Sequence, residues 1–90
     1  MEAKYIVYMD EEAGTETPVL FPSYVKHSDM ARGFDKVLSA GFVSIAMVGS
    51  LSKSQYVAHA YGESTSLKKK SDPKRDSHII TRMLFGYQED

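Results

Sequence analysis

Cysteine is absent from this chain of 90 residues. That absence excludes disulfides, thiolate metal sites, cysteine nucleophiles and iron–sulfur clusters, and it fits a reducing compartment. Long apolar runs are absent too, and none approaches the ~20 residues that a membrane-spanning helix needs. The stretch Met1-Glu2-Ala3-Lys4-Tyr5 has neither the basic start nor the apolar run of a secretory leader. No membrane association is therefore expected, and the expected location is cytoplasmic. Proline is sparse, and two of the three prolines, Pro18 and Pro22, bracket one short segment.

Several chemical signatures are also missing. There is no Gly-x-Ser-x-Gly elbow and no glycine-rich loop ending in Gly-Lys-Ser/Thr. The three histidines, His27, His59 and His78, fall in an expected loop, strand and helix, and none has a second ligand at metal-site spacing. A nucleophile drawn from Ser64 or Ser66 with His59 and Glu63 fails on geometry, because adjacent strand residues point to opposite faces. No catalytic residue, metal site or cofactor is expected.

What the chain does contain is ordinary for a globular domain: 42% hydrophobic and 26% charged residues. At this length one hydrophobic core is the limit, which argues for a single domain over residues 1–86 with a short tail at 87–90. The net charge of −1 conceals an uneven layout. Residues 1–16 carry Lys4 against Glu2, Asp10, Glu11, Glu12 and Glu16. Residues 68–76 carry Lys68, Lys69, Lys70, Lys74 and Arg75 against Asp72 and Asp76. Such a dipolar layout can steer an anion or orient two copies of a chain.

The β-branched and aromatic run Lys4–Met9 predicts a strand with apolar groups on both faces. A polar loop over 10–17 leads to an extended piece at Pro18–Pro22, whose prolines place it at a sheet edge. A helical turn is expected near residues 28–34, with Ser28 as a cap and Met30 and Phe34 sharing a face. Residues 36–48 give the strongest strand pattern, with Gly41 as an expected bulge or bend. A turn over 49–54 joins it to the alternating strand Gln55–Tyr61. Ser71-Asp72-Pro73 predicts a helix start, with Pro73 in the first helical position. An apolar stripe of Ile79, Ile80, Met83 and Leu84 follows, and Gly86 is the terminator. Together these elements give an α+β fold: a small, mainly antiparallel sheet of four to five strands with the C-terminal helix on one face.

Two functional surfaces follow. Strands apolar on both faces carry more apolar surface than one helix of about 12 residues hides. This points to a protein partner, first of all a second copy in a homodimer, with Phe42, Ser44, Ala46 and Val48 as the interface candidates. The alternative is a phosphate-binding module for a nucleotide or nucleic acid. It would use Ser64, Ser66, Lys68, Lys69, Lys70, Lys74 and Arg75 beside a helix N-terminus. Against nucleic acid stands a pI of about 6.3, far below the value of ~9 expected of a dedicated binder.

Overall fold

Alternation of apolar and polar residues, interrupted by glycine and polar turns, produces a sheet that dominates the molecule. The computed structural model describes residues 2–50 and 53–86. Strands β1 (Glu2–Asp10) and β2 (Thr15–Phe21) form the expected hairpin. A short helix α1 (His27–Ala31) precedes the long strand β3 (Val37–Ser50), which pairs with β4 (Lys53–Tyr61). A miniature hairpin, β5 (Glu63–Ser64) with β6 (Lys69–Lys70), leads into helix α2 (Pro73–Phe85). The four long strands make one curled antiparallel sheet in the order β2-β1-β3-β4. No described helix is long and apolar enough to cross a membrane. The expected tail at 87–90 and the centre of the expected turn, residues 51 and 52, lie outside the described residues.

Both ends of α2 obey local chemistry. The Asp72 side chain accepts from the backbone N–H of Arg75, and Gly86 closes the helix in the left-handed region at φ 67°. Asp76 reaches back to accept from the Asp72 N–H at 2.9 Å, so two otherwise orphaned donors are satisfied reciprocally. The α1 expectation holds only in part. Its N-cap is Lys26, without a side-chain cap, so Ser28 does not cap it.

Gly41 does not split β3, which runs unbroken for 14 residues. The register shift in the sheet lies instead at Val7/Tyr8 of β1. Gly41 is needed for close approach: a Cβ there would sit 2.5 Å from the Tyr61 carbonyl oxygen and 3.2 Å from Ser71 Cβ.

Each sheet face has its own core. Tyr5 and Val7 of β1, Val43 of β3, and Ala58 and Ala60 of β4 pack with Ile80 of α2. On the opposite face Ile6, Phe21 and Ala40 pack with Met30, Phe34 and Leu67, which come from α1, the segment after it, and the β5–β6 turn. Among the described residues the second face is thus covered at one end only. The ladder between β1 and β3 ends at Glu2 opposite Ser44, while β3 and β4 remain paired to Ser50 and Lys53. Beyond Ser44, among the described residues, β3 and β4 pair only with each other, as a two-stranded arm.

Candidate functional site

The residues expected to bind an anion are dispersed. Ser64 is buried, and its Oγ accepts from Leu67 N–H and lies 3.3 Å from Ser66 Oγ. The hydroxyls therefore shape the tight β5–β6 turn, in which Lys68 takes φ 56°. Lys69 and Lys70 pair across to Ser64 and Glu63, with both lysine side chains exposed, and Lys74 is exposed in the first turn of α2. Arg75 is turned inward. Its guanidinium bonds Asp76 Oδ1 at 3.2 Å and Ser39 Oγ at 3.0 Å, and it meets Glu16 at 3.5 Å. Burial disfavours its charge, yet the surrounding carboxylates outweigh burial and hold its pKa above the ordinary value. The contact with Glu16 joins the acidic and basic ends of the chain.

A different grouping emerges around Ser64 and Ser66. With Lys4, Lys26, His27 and Ser28 they line an open cleft of about 390 Å³, which also takes in Phe42, Glu63 and Thr65. Lys4 Nζ donates to the Val25 carbonyl at 3.0 Å and stands 6.0 Å from the Phe42 ring centre. His27 Nε2 lies 2.9 Å from the Gly41 carbonyl oxygen, which can only accept, so Nε2 carries the proton and Nδ1 the lone pair. Edge-on contacts to Phe21 and Phe42 surround the ring. Burial, aided by the Lys4 charge, lowers the His27 pKa, although the Gly41 carbonyl works in the opposite direction. Lys4, Lys26, His27 and Ser28 were not legible as site residues, because only tertiary folding brings β1 and α1 beside the β5–β6 hairpin.

The interface candidates Phe42, Ser44, Ala46 and Val48 share one face of β3, as alternation requires. They are not equivalent. Phe42 is half-buried between His27 and the stacked ring of Tyr61, whose hydroxyl donates to Glu2. Val48 lies on the arm and is 43% exposed. Among the described residues of the arm, the most open apolar groups are on its other face: Met47, 62% exposed, and its cross-strand partner Tyr56, 50% exposed. Tyr56 stacks on Phe85 with ring centres 5.8 Å apart. Leu84, one turn beyond the buried Ile80 on the same helix face, is also exposed. Met47 and Tyr56 escaped the reading of residues 36–48 and 55–61, because alternation identifies the two faces of a strand but not which end of a face lacks cover.

Comparison with known proteins found no matching family model, no matching curated protein and no matching solved structure.

Proposed function

We propose that this chain acts by binding protein, with a second copy of itself as the partner, and that the β3–β4 arm is the contact surface. The supporting observation is the arm itself. Among the described residues it carries Met47, Val48 and Tyr56 open to solvent on two faces. Clustered apolar side chains of this kind are what interface centres are built from, Met and Tyr especially. Sedimentation velocity tests the reading. The chain should sediment as a dimer at about 50 µM, where a complex with a dissociation constant of about 1 µM is largely assembled. Replacing Met47 with Lys should return it to monomer with an unchanged circular-dichroism spectrum, since the side chain is mostly exposed. A parent chain that stays monomeric at that concentration overturns the reading.

The cleft between α1 and the β5–β6 hairpin supports a second reading, an oxyanion site. There Lys4 and Lys26 stand with the hydroxyls of Ser28, Ser64, Thr65 and Ser66. Phosphate titration followed by amide chemical shifts tests it. Binding should move the resonances of residues 26–28 and 64–66 and weaken as salt rises. Unmoved resonances at low salt remove it.

A further inference from the structure

We infer that the cleft between α1 and the β5–β6 hairpin takes a small hydroxylated phosphomonoester, of the sugar-phosphate class, and not a nucleotide. This rests on the oxyanion reading of that cleft and names its ligand.

The charge of the cleft selects the anion. Arg32, Lys36 and Arg75 each stand within 4.0 Å of a carboxylate. Among the described residues, Lys4 and Lys26 have no such partner, although both line the same cleft. Lys4 is partly buried and gives one N–H to the Val25 carbonyl. An ammonium has three donors, so two remain. A phosphomonoester carries about −1.5 to −2 charges near neutral pH and answers both lysines, where a carboxylate answers one. Glu63, on the hairpin side, repels that charge. The phosphate therefore seats on the lysines and the body of the ligand extends toward Glu63.

The rest of the wall describes that body. The cleft of about 390 Å³ holds far more than a phosphate group, about a dozen waters at ~30 Å³ each. Its wall toward the hairpin offers the Ser28 and Thr65 hydroxyls and the Glu63 carboxylate, none of which has a side-chain partner among the described residues. Hydroxyls both donate and accept, and a carboxylate accepts only, so the complement is a set of ligand hydroxyls. Phe42 is the one apolar side chain of the lining, and its ring is already engaged. Tyr61 stacks on it at 5.9 Å, His27 meets it at 90°, and Lys4 Nζ stands 6.0 Å from its centre. No ring face is left for a base to stack on, which sets nucleotides aside.

Titrations at low salt, followed by amide chemical shifts, test this with five probes: inorganic phosphate, AMP, glucose 6-phosphate, ribose 5-phosphate and glycerol 3-phosphate. At least one of the last three should bind ten times or more tighter than phosphate and than AMP. Lys26 and Glu63 are exposed, so their variants should keep the fold. Lys26→Ala should weaken phosphate and the preferred ligand alike, at least fivefold. Glu63→Gln should weaken the preferred ligand at least fivefold without weakening phosphate. Phosphate binding as tightly as all three hydroxylated esters, AMP binding tightest, or Glu63→Gln binding the preferred ligand like the parent overturns this ligand class and leaves the oxyanion reading standing. Resonances of residues 26–28 and 64–66 unmoved by every probe overturn both.

Discussion

The phenol of Tyr5 donates to the carboxylate of Asp76 at 2.5 Å, tying the first strand to the last helix across 71 residues of sequence. Both side chains are fully buried. Asp76 also accepts from Asp72 N–H and Arg75 Nε, and Arg75 continues to Ser39 on β3. Burial raises the Tyr5 pKa, and the hydrogen bond and charge of Asp76 raise it further, so the phenol stays protonated and donating. Among the described residues no buried side-chain polar atom is left unsatisfied. One buried carboxylate thus anchors β1 and, through its neighbour, β3, and it caps the helix that covers them.

Removing the carboxylate should cost more than removing the phenol's hydroxyl. Tyr5→Phe deletes one donor and leaves Asp76 with two, for a loss of about 1.5–3 kcal/mol. Asp76→Ala strands Tyr5, Asp72 N–H and the Arg75 guanidinium together, for about 3–5 kcal/mol. Urea unfolding of both variants and the double mutant gives the coupling energy. A Tyr5→Phe loss equal to or above that of Asp76→Ala contradicts this ordering.

How much of this was legible depended on the range of the interaction. The cap at Asp72, the stop at Gly86 and the edge position of Pro18 follow from chemistry within a few residues, and all three are present. Asp76 read only as a charge in the basic segment, because nothing in Lys74-Arg75-Asp76 reveals that Tyr5 lies opposite. Arg75 read as a surface cation for the same reason. Of the candidate anion site, Ser64 and Ser66 fall in a cleft, but its lysines are Lys4 and Lys26. The excess of apolar surface was legible as a total. Its location at Met47 and Tyr56 depends on how β3 pairs with β4 and where α2 packs, a matter of register and tertiary contact.

The hydroxyls of Ser77 and Thr81, which accept from the Ala60 and Ala58 N–H groups at 2.8 and 2.9 Å, should protect the edge of β4. Thr81→Val keeps the shape and removes the acceptor, leaving the Ala58 N–H unpaired. Hydrogen exchange at Ala58 should accelerate at least tenfold while Ala60, served by Ser77, changes little. Stability should fall by about 1–2 kcal/mol. An unchanged Ala58 rate would show that the hydroxyl does not serve the edge.

Gly41 should tolerate no side chain. Its Cβ would meet backbone, the Tyr61 carbonyl oxygen at 2.5 Å, and backbone held in a ladder cannot swing aside. Gly41→Ala should destabilise by about 1–3 kcal/mol, whereas Gly33→Ala, with nothing within 4 Å, should fall within about 0.5 kcal/mol of the parent. Comparable losses at both sites would mean the close approach is not what selects glycine.

Stability should fall on mild acidification, through His27. Its ring is buried, bonded to the Gly41 carbonyl, and flanked by Lys4 and Lys26 of the cleft, with Glu63 the acid on the same wall. The folded-state pKa lies below the ordinary 6.5. The unfolded chain therefore binds this proton first as pH drops, and the folded state loses ground. The sign is that of a depressed base: the stabilisation is complete above about pH 6.5, declines as pH falls below it, and levels off once the folded pKa is passed. The slope for one proton cannot exceed about 1.4 kcal/mol per pH unit. Urea midpoints at pH 7 and pH 5 should separate in the parent. In His27→Gln, whose amide can still donate to Gly41, this contribution disappears and the separation shrinks, whatever the variant's absolute stability. Equal separations in parent and variant would assign the acid sensitivity to other groups.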